Sequence, residues 1–469
     1  MTAGPGQLEP DAIGAVQDTV IGMANSAPTV SVGLTVATLA ATAAYAVGPV
    51  ILLTAIPMFI IANAYRRLNL WNANCGASFE WVGRSINPYV GFLTGWLMIT
   101  GSLVGGISGV VVLAPSVLAV FNSTVTSTWP NIAISTAVIL VMLVIAVIGI
   151  KITARTQVSM AAIEYTILLG FAIAGFVAVL NHHHGTFPIT SGWFSISGIG
   201  GKGSLAAGFL IAVFMYTGWD ASVYVNEETT RRRTNPGRAA VLAVAFLAVI
   251  YTFCEMGLQG VVSPAKLQAN ASAPLIYIAQ SLGGGGWAKV MALSLALSVI
   301  ASTGTVIVIL ARMTYGMARE RVLPPVLARV NHRFATPVVA SAVIGTILIA
   351  ATWVYLLSSS IANVFSQVID ITGLLYAAFY VLTAFAAIAY YRRRVVRNVA
   401  DAAFVGILPL CAAGFLVWII VRSLQAAPAS QVWSVVGIVA AGVIMMLVAR
   451  FVLRAPFFQL ARESAPRES

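Results

Sequence analysis

Charge is what this sequence has least of. Only 9% of its 469 residues are Asp, Glu, Lys or Arg, against roughly 25% in an ordinary soluble domain, while 59% are hydrophobic. No soluble core absorbs that much apolar surface, so a water-soluble globular protein is excluded. Cysteine is also scarce. Cys75, Cys254 and Cys411 are odd in number and far apart, which excludes a disulfide framework and a Cys-based metal or redox motif; each is expected to be a buried small apolar residue. The first fourteen residues lack Lys and Arg and carry Glu9 and Asp11, so a cleaved secretory signal is not expected. No nucleophile, base or metal cluster marks an enzyme, and no charged ring or filter marks a channel pore. No cofactor and no metal are expected, and His182, His183 and His184 read as a solvated loop.

What the chain does have is long hydrophobic runs. A crossing needs roughly 20 apolar residues, and such runs occur at 15–43, 46–66, 89–120, 132–150, 157–180, 205–229, 239–262, 289–318, 336–357, 361–391, 401–423 and 431–454. They predict an all-α membrane protein of twelve transmembrane helices. The segment 67–88, rich in Asn and Gly, is too polar to span, and 181–204 and 263–288 read as loops from their Gly, Pro and Ser clusters.

The formal charge is +12, which in a soluble chain would raise nucleic acid as a partner. Here the arginines have another explanation. With the N-terminus in the cytoplasm, 22 of the 26 basic residues fall on the inner side, among them Arg66, Arg67, Arg84, Lys151, Arg155, Arg231 to Arg233, Arg312, Arg319 and Arg392 to Arg394. Lys202, Lys266, Lys289 and Arg422 are the four on or near the other side. The positive-inside rule gives this asymmetry and places both termini in the cytoplasm of a multi-pass plasma (inner) membrane protein. The partner is the lipid bilayer, with no nucleic acid; oligomeric state is left open.

Two spans are interrupted in matching places. Span 1 contains Asn25-Ser26-Ala27-Pro28-Thr29 and span 6 contains Tyr216-Thr217-Gly218-Trp219-Asp220. The offset of five spans is that of two inverted five-helix repeats whose broken helices meet at the bilayer midplane and build a binding site. The predicted organisation is a cytoplasmic segment 1–14, a first repeat 15–180, an outer loop 181–204, a second repeat 205–391, two additional spans in 392–454 and a cytoplasmic tail 455–469.

The breaks carry chemistry. Pro28 lacks an N–H and disfavours helix at Ala27, so a new helix starts there. Its first N–H groups suit a carboxylate, and Ser26 or Thr29 adds a hydroxyl. Carbonyls around Gly22, Met23, Ala24 and Asn25 accept from an ammonium group, so donors and acceptors side by side match a zwitterion. In the second break Gly218 permits backbone angles closed to other residues, and Tyr216 and Thr217 are polar. Phe214 and Trp219 either close over a substrate side chain or pack. Asp220 either caps the second half-helix or binds a cationic substrate.

These residues resemble the amino acid/polyamine/organocation (APC) superfamily of permeases. The resemblance rests on Tyr216-Thr217-Gly218-Trp219-Asp220 through Asn226-Glu227-Glu228-Thr229 to Asn235-Pro236. It continues in Arg312-Met313-Thr314-Tyr315-Gly316-Met317-Ala318-Arg319-Glu320 with Leu323-Pro324 and Thr336-Pro337, and in Gly91-Phe92-Leu93-Thr94-Gly95-Trp96. It implies a secondary active transporter that moves amino acids by alternating access, or alternatively an exchanger or a polyamine or organic-cation carrier. It also carries the substrate's backbone sites onto residues 25 to 29 and 216 to 219. The family often has a glycine-rich break in span 1, where this chain has Ala24, Ser26, Ala27 and Pro28.

Ionisable residues inside a bilayer are costly and usually functional. Glu164 in span 5 lies where proton-coupled relatives often have a lysine. It is expected to carry a coupling proton, alone or with Ser302, Thr303 or Thr305 of span 8. A plain interhelical contact and a sodium ligand are the alternatives, so the expected coupling ion is H+ before Na+. Glu255 and Asp370 read as polar packing near an outer vestibule. Glu227 and Glu228 read as a cytoplasmic cluster with Arg231 to Arg233, with an inner-gate role open.

Overall fold

In the computed structural model, residues 7–463 are described, apart from 44, 124–126, 184, 200, 358–360 and 396–398. His184, Arg397 and Arg467 therefore lie outside the described residues. The chain is a helical bundle. Its helices are α1 (Ala15–Asn25), α2 (Pro28–Ala43), α3 (Val47–Trp71), α4 (Ser78–Ser85), α5 (Pro88–Val120), α6 (Thr128–Ile148), α7 (Ile150–Leu180), α8 (Gly201–Met215), α9 (Ala221–Tyr224) and α10 (Asn235–Gln259). They continue with α11 (Pro264–Ala269), α12 (Pro274–Gly283), α13 (Gly285–Arg319), α14 (Val338–Leu357), α15 (Ile361–Val395), α16 (Val399–Asp401), α17 (Leu408–Ala426) and α18 (Ala429–Leu447). Among the described residues eleven crossings are long and apolar enough to span a membrane, counting α1 with α2 as one. The short pair α8 and α9 completes the expected twelve.

Proline sets many of the starts. Pro28, Pro88, Pro236, Pro264 and Pro274 occupy the first positions of their helices, where the missing N–H would have had no partner. Asn87 caps α5 by accepting from the Tyr89 N–H at 2.9 Å. The segment 263–288, read from sequence as loop, instead folds into α11 and α12, with Ser263 accepting from the Lys266 N–H. The polar segment 67–88 contributes α4, a buried helix tucked beneath the bundle. Its Gly, Ser and Asn content hid that packing role. Cys75 and Cys254 are buried as expected, but Cys411 is exposed on the outer surface of α17.

Helices five spans apart pack together: α3 runs along α10, and α5 along α13. α1 lies against α7, α10 and α13. At the periphery α18 is the least buried crossing, while the α1–α2 crossing is among the most buried. Successive crossings alternate in direction, so the ends of α3, α13 and α15 share one face with the starts of α5, α7 and α10. Ion pairs tie that face together: Arg67 with Asp401 at 2.9 Å, and Arg84 with Glu320 at 2.9 Å and with Glu463 at 3.4 Å. We call it the basic face.

Candidate functional site

The breaks fall where the sequence places them, and they touch. α1 ends at Asn25, Ser26 follows, Ala27 takes a left-handed φ of +45°, and α2 starts at Pro28. In span 6, α8 ends at Met215, Gly218 has φ +102°, and α9 starts at Ala221. The Asn25 side-chain amide donates to the Gly218 carbonyl at 3.2 Å. A Cβ at Gly218 would come within 2.7 Å of the Asn25 side chain and 2.9 Å of its backbone, and one at Gly22 would lie 2.8 Å from the Trp219 carbonyl oxygen. Only glycine permits both that φ and that approach.

A cavity opens beside this contact. Asn25, Ser26, Ala27, Val30 and Ser31 line it from span 1, and Phe214 and Thr217 from span 6. α5 adds Ser102, Gly105, Gly106, Ser108 and Gly109, α13 adds Ser302 and Val306, and α15 adds Thr372 and Tyr376. Among the described residues no charged side chain lines it. The wall is made of hydroxyls, one carboxamide, backbone and small apolar groups, and Ser102 and Tyr376 hydrogen-bond each other at 2.8 Å. Such a surface receives a small polar ligand without a net charge.

Other expected site residues sit behind this wall. Met23 and Ala24 are buried in the α1 interface. Tyr216 is fully buried, its hydroxyl donating to the Ile51 carbonyl at 3.3 Å. Trp219 does not close over the cavity: it stacks on Tyr380 at 5.2 Å and meets the Tyr65 ring edge-on at 5.0 Å. Asp220 occupies the first position before α9 but makes no side-chain cap. The Tyr380 hydroxyl donates to its carboxylate at 2.9 Å instead, so Asp220 anchors the aromatic layer under the cavity and does not face a ligand. Phe214 and Thr217 remain on the cavity side.

The first N–H groups of α2 are already occupied. Thr29 donates its backbone N–H to Glu164 at 3.0 Å, and Val30 donates to the Ser298 hydroxyl at 3.4 Å. The Thr29 hydroxyl bonds Ser294 at 3.0 Å, and Ser294 donates to the Glu164 carbonyl at 3.3 Å. The carboxylate of α7 thus does for α2 what a capping side chain does, from across a helix interface. Its α13 neighbours are Ser294 and Ser298. Of the expected partners, Ser302 lines the cavity, Thr305 bonds back to its own helix at Ala301, and Thr303 is buried elsewhere on α13. Nearly two turns further along α2, the Thr35 hydroxyl, whose proton goes to the Ser31 carbonyl at 2.6 Å, sits 3.2 Å from Glu255. Glu255 is fully buried, so it is an interhelical contact of α2, and Asp370 likewise pairs with Gln431.

On the basic face, Glu227 and Glu228 do not pair with Arg231 to Arg233, whose side chains are exposed. Arg312 makes two bonds to Glu228, at 2.8 and 3.0 Å, with both side chains fully buried. Arg319 holds Glu227 at 2.6 and 2.9 Å. The reason is reach: both carboxylates lie on the short turn after α9, which packs on α13, and the arginine run points out to solvent. The segment before α1 seals the same place, with Ala12 and Ile13 donating to the Glu228 carbonyl at 2.8 and 3.1 Å. Beside it, burial and the carboxylate of Glu320 hold the Glu80 carboxyl above its usual range against the pull of Arg84. Burial also pushes the Cys75 thiol up, leaving it neutral. Among the described residues no group of His, Cys, Asp and Glu is placed to hold a metal.

A sequence reading misses three features here: the Asp18 carboxylate buried in α1, α4 as a plug, and the tyrosine layer of Tyr65, Tyr376 and Tyr380. Asp18 was legible as an acid in an apolar run. The tyrosines carried no signal apart from their location in spans.

An all-α bundle with eleven full crossings and the shorter α8–α9 pair among the described residues, and with a cavity beside two touching helix breaks, is a multi-pass membrane protein. The family model described as amino acid permease matches residues 17–452, and the chain belongs to that family. It is 25% identical over 292 residues to the Asc-type amino acid transporter 1 of Mus musculus, covering 59% of this chain and 52% of that protein. It is 31% identical over 138 residues to the Asc-type amino acid transporter 1 of Homo sapiens, covering 29% and 26%. To the large neutral amino acids transporter small subunit 2 of Homo sapiens it is 30% identical over 138 residues, covering 29% and 25%. The matches thus span about half or less of these relatives' length.

Proposed function

We propose that this chain is a secondary active transporter that moves a neutral amino acid across the plasma membrane by alternating access, with both termini and the basic face in the cytoplasm. The observation that carries the reading is the cavity at the meeting point of the two breaks, lined by Asn25, Ser26 and Ala27 on one side and Phe214 and Thr217 on the other. Membership of the amino acid permease family supports the substrate class. So do the names of the relatives. A carrier of polyamines or organic cations would need a carboxylate facing the ligand, and of the two acids at the breaks Asp220 is turned to Tyr380 and Glu164 to the Thr29 N–H.

The coupling ion in this reading is a proton, carried by Glu164. Its carboxylate accepts the first available N–H of α2, two residues from Ala27 in the cavity wall. An ionised carboxylate at a helix start is favoured by the dipole, and protonation weakens that bond, so a proton on Glu164 loosens the seat of α2. Uptake into proteoliposomes under imposed gradients tests this. A pH gradient should drive accumulation in the wild type, and Glu164→Gln, which keeps an acceptor for the Thr29 N–H, should abolish the drive while keeping counterflow. Accumulation driven by sodium alone, or full pH drive in the variant, would contradict the proton role.

A further inference from the structure

The seal on the basic face also contains a buried carboxylate on α1. Asp18 lies in the first turn of α1 and is fully buried. Neither of its oxygens has a hydrogen-bond partner among the described residues. The polar side chain beside it is Thr229, but that hydroxyl donates its one proton to the Val225 carbonyl at 3.0 Å. Toward Asp18 it has only lone pairs to offer, which suits a protonated acid that donates and not a carboxylate that accepts.

Among the described residues, none of the charged and titratable groups on the elements packed around α1 bonds to Asp18. Arg312 of α13 is held by Glu228, Glu164 of α7 by Thr29, and Glu255 of α10 by Thr35. Tyr251 of α10 donates to the Ser26 carbonyl, and Lys151 of α7 pairs with Glu9. The remaining groups, Tyr224 of α9, Arg155 and Tyr165 of α7, Arg238 and Cys254 of α10, and Lys289, Tyr315 and Arg319 of α13, make no bond to Asp18, and Arg155 and Arg238 are exposed. An isolated charge without partner or water is unfavourable in such a place.

α1 is a separate rigid piece of this seal. It joins α2 only through Ser26 and Ala27, and its leading segment is docked on Glu228 and Thr229 by main-chain bonds, Thr230 donating to the Ile13 carbonyl at 2.9 Å. The geometry points to Asp18 as a proton-binding site in the closure of the basic face, protonated while α1 is seated and deprotonated when α1 swings out and water reaches it. Closing the face takes up one proton at Asp18, and opening it releases that proton to the basic side. High pH on that side favours the open form, by up to tenfold per pH unit between the protonation midpoints of the open and the seated state, as linkage to a single proton requires. The site depends on the seated position of α1, and not on which substrate the cavity takes.

Hydrogen–deuterium exchange of residues 12–25 in the purified full-length protein, corrected for the intrinsic pH dependence of exchange, reads this opening directly and without any transport assay. Between pH 5 and 9 the wild type should lose protection with a one-proton slope. Asp18→Asn, neutral at every pH, should stay protected with no slope. Thr229→Val removes the acceptor for the protonated acid and should move the midpoint to lower pH, which tests the proposal even if Asp18→Asn fails to fold. A wild-type slope retained in Asp18→Asn, or a midpoint unmoved in Thr229→Val, would overturn it.

Discussion

The two helix breaks meet the same requirement with different means. The break in span 6 turns on its own backbone: Gly218 at φ +102° makes the reversal, with Asn25 at its carbonyl and Tyr380 at Asp220 bonding to it from other helices. The break in span 1 has Ala27 at φ +45° where glycine would be easy, and it is held from outside. Glu164, Ser298 and Ser294 fix the first turn of α2, Tyr251 and Ser31 bond the Ser26 carbonyl at 3.2 and 2.6 Å, and Glu255 lies against Thr35. The first break is therefore tied to three neighbouring helices, while the second turns on its own glycine. That difference puts the proposed proton site, Glu164, at the break that is held from outside.

The comparison breaks most severely where span 6 is anchored. Arg312→Met leaves Glu228 as an unpaired buried charge and should cost about 3–5 kcal/mol, seen as a large drop in the thermal midpoint in detergent. Gly218→Ala should cost on the order of 3 kcal/mol, from a disallowed φ and from overlap with Asn25, and should abolish counterflow. Glu164→Ala leaves the Thr29 N–H buried without an acceptor, a loss of about 1–3 kcal/mol, with Glu164→Gln losing less by the same melting assay. The smallest effect sharpens the comparison. Ala27→Gly removes a left-handed alanine, a strain of roughly 1–2 kcal/mol, but adds chain entropy to the unfolded state, so the melting midpoint should rise by a few degrees at most. A collapse of Ala27→Gly as severe as that of Gly218→Ala would erase the distinction.

The two breaks were also the most legible part of the sequence. Twelve crossings, the basic face and the positions of both breaks follow from hydrophobic runs, arginine placement and the residues Pro28 and Gly218, because these depend on local chemistry and on the bilayer. Partners across helices did not follow. Glu164 was visible as an ionisable group in a span, but its capping of Thr29 depends on the rotation of α7 against α2, which no local pattern encodes. Trp219 and Asp220 lie in the expected motif yet face Tyr380, since two successive residues of a turn point in directions that the sequence leaves open. Glu227 and Glu228 have three arginines within six residues and still pair with Arg312 and Arg319, more than eighty positions away, because proximity in the chain is not proximity across a helix interface.

The central claim is that the cavity between the breaks holds a neutral amino acid. Counterflow in proteoliposomes, with a panel of amino acids and amines as competitors and Thr217→Trp as the cavity-filling control, tests it most directly. Saturable counterflow of neutral amino acids, weak competition by amines, and loss of counterflow in Thr217→Trp with the protein still folded are expected. Saturation by amines with no amino acid competing, or wild-type counterflow in Thr217→Trp, would contradict it.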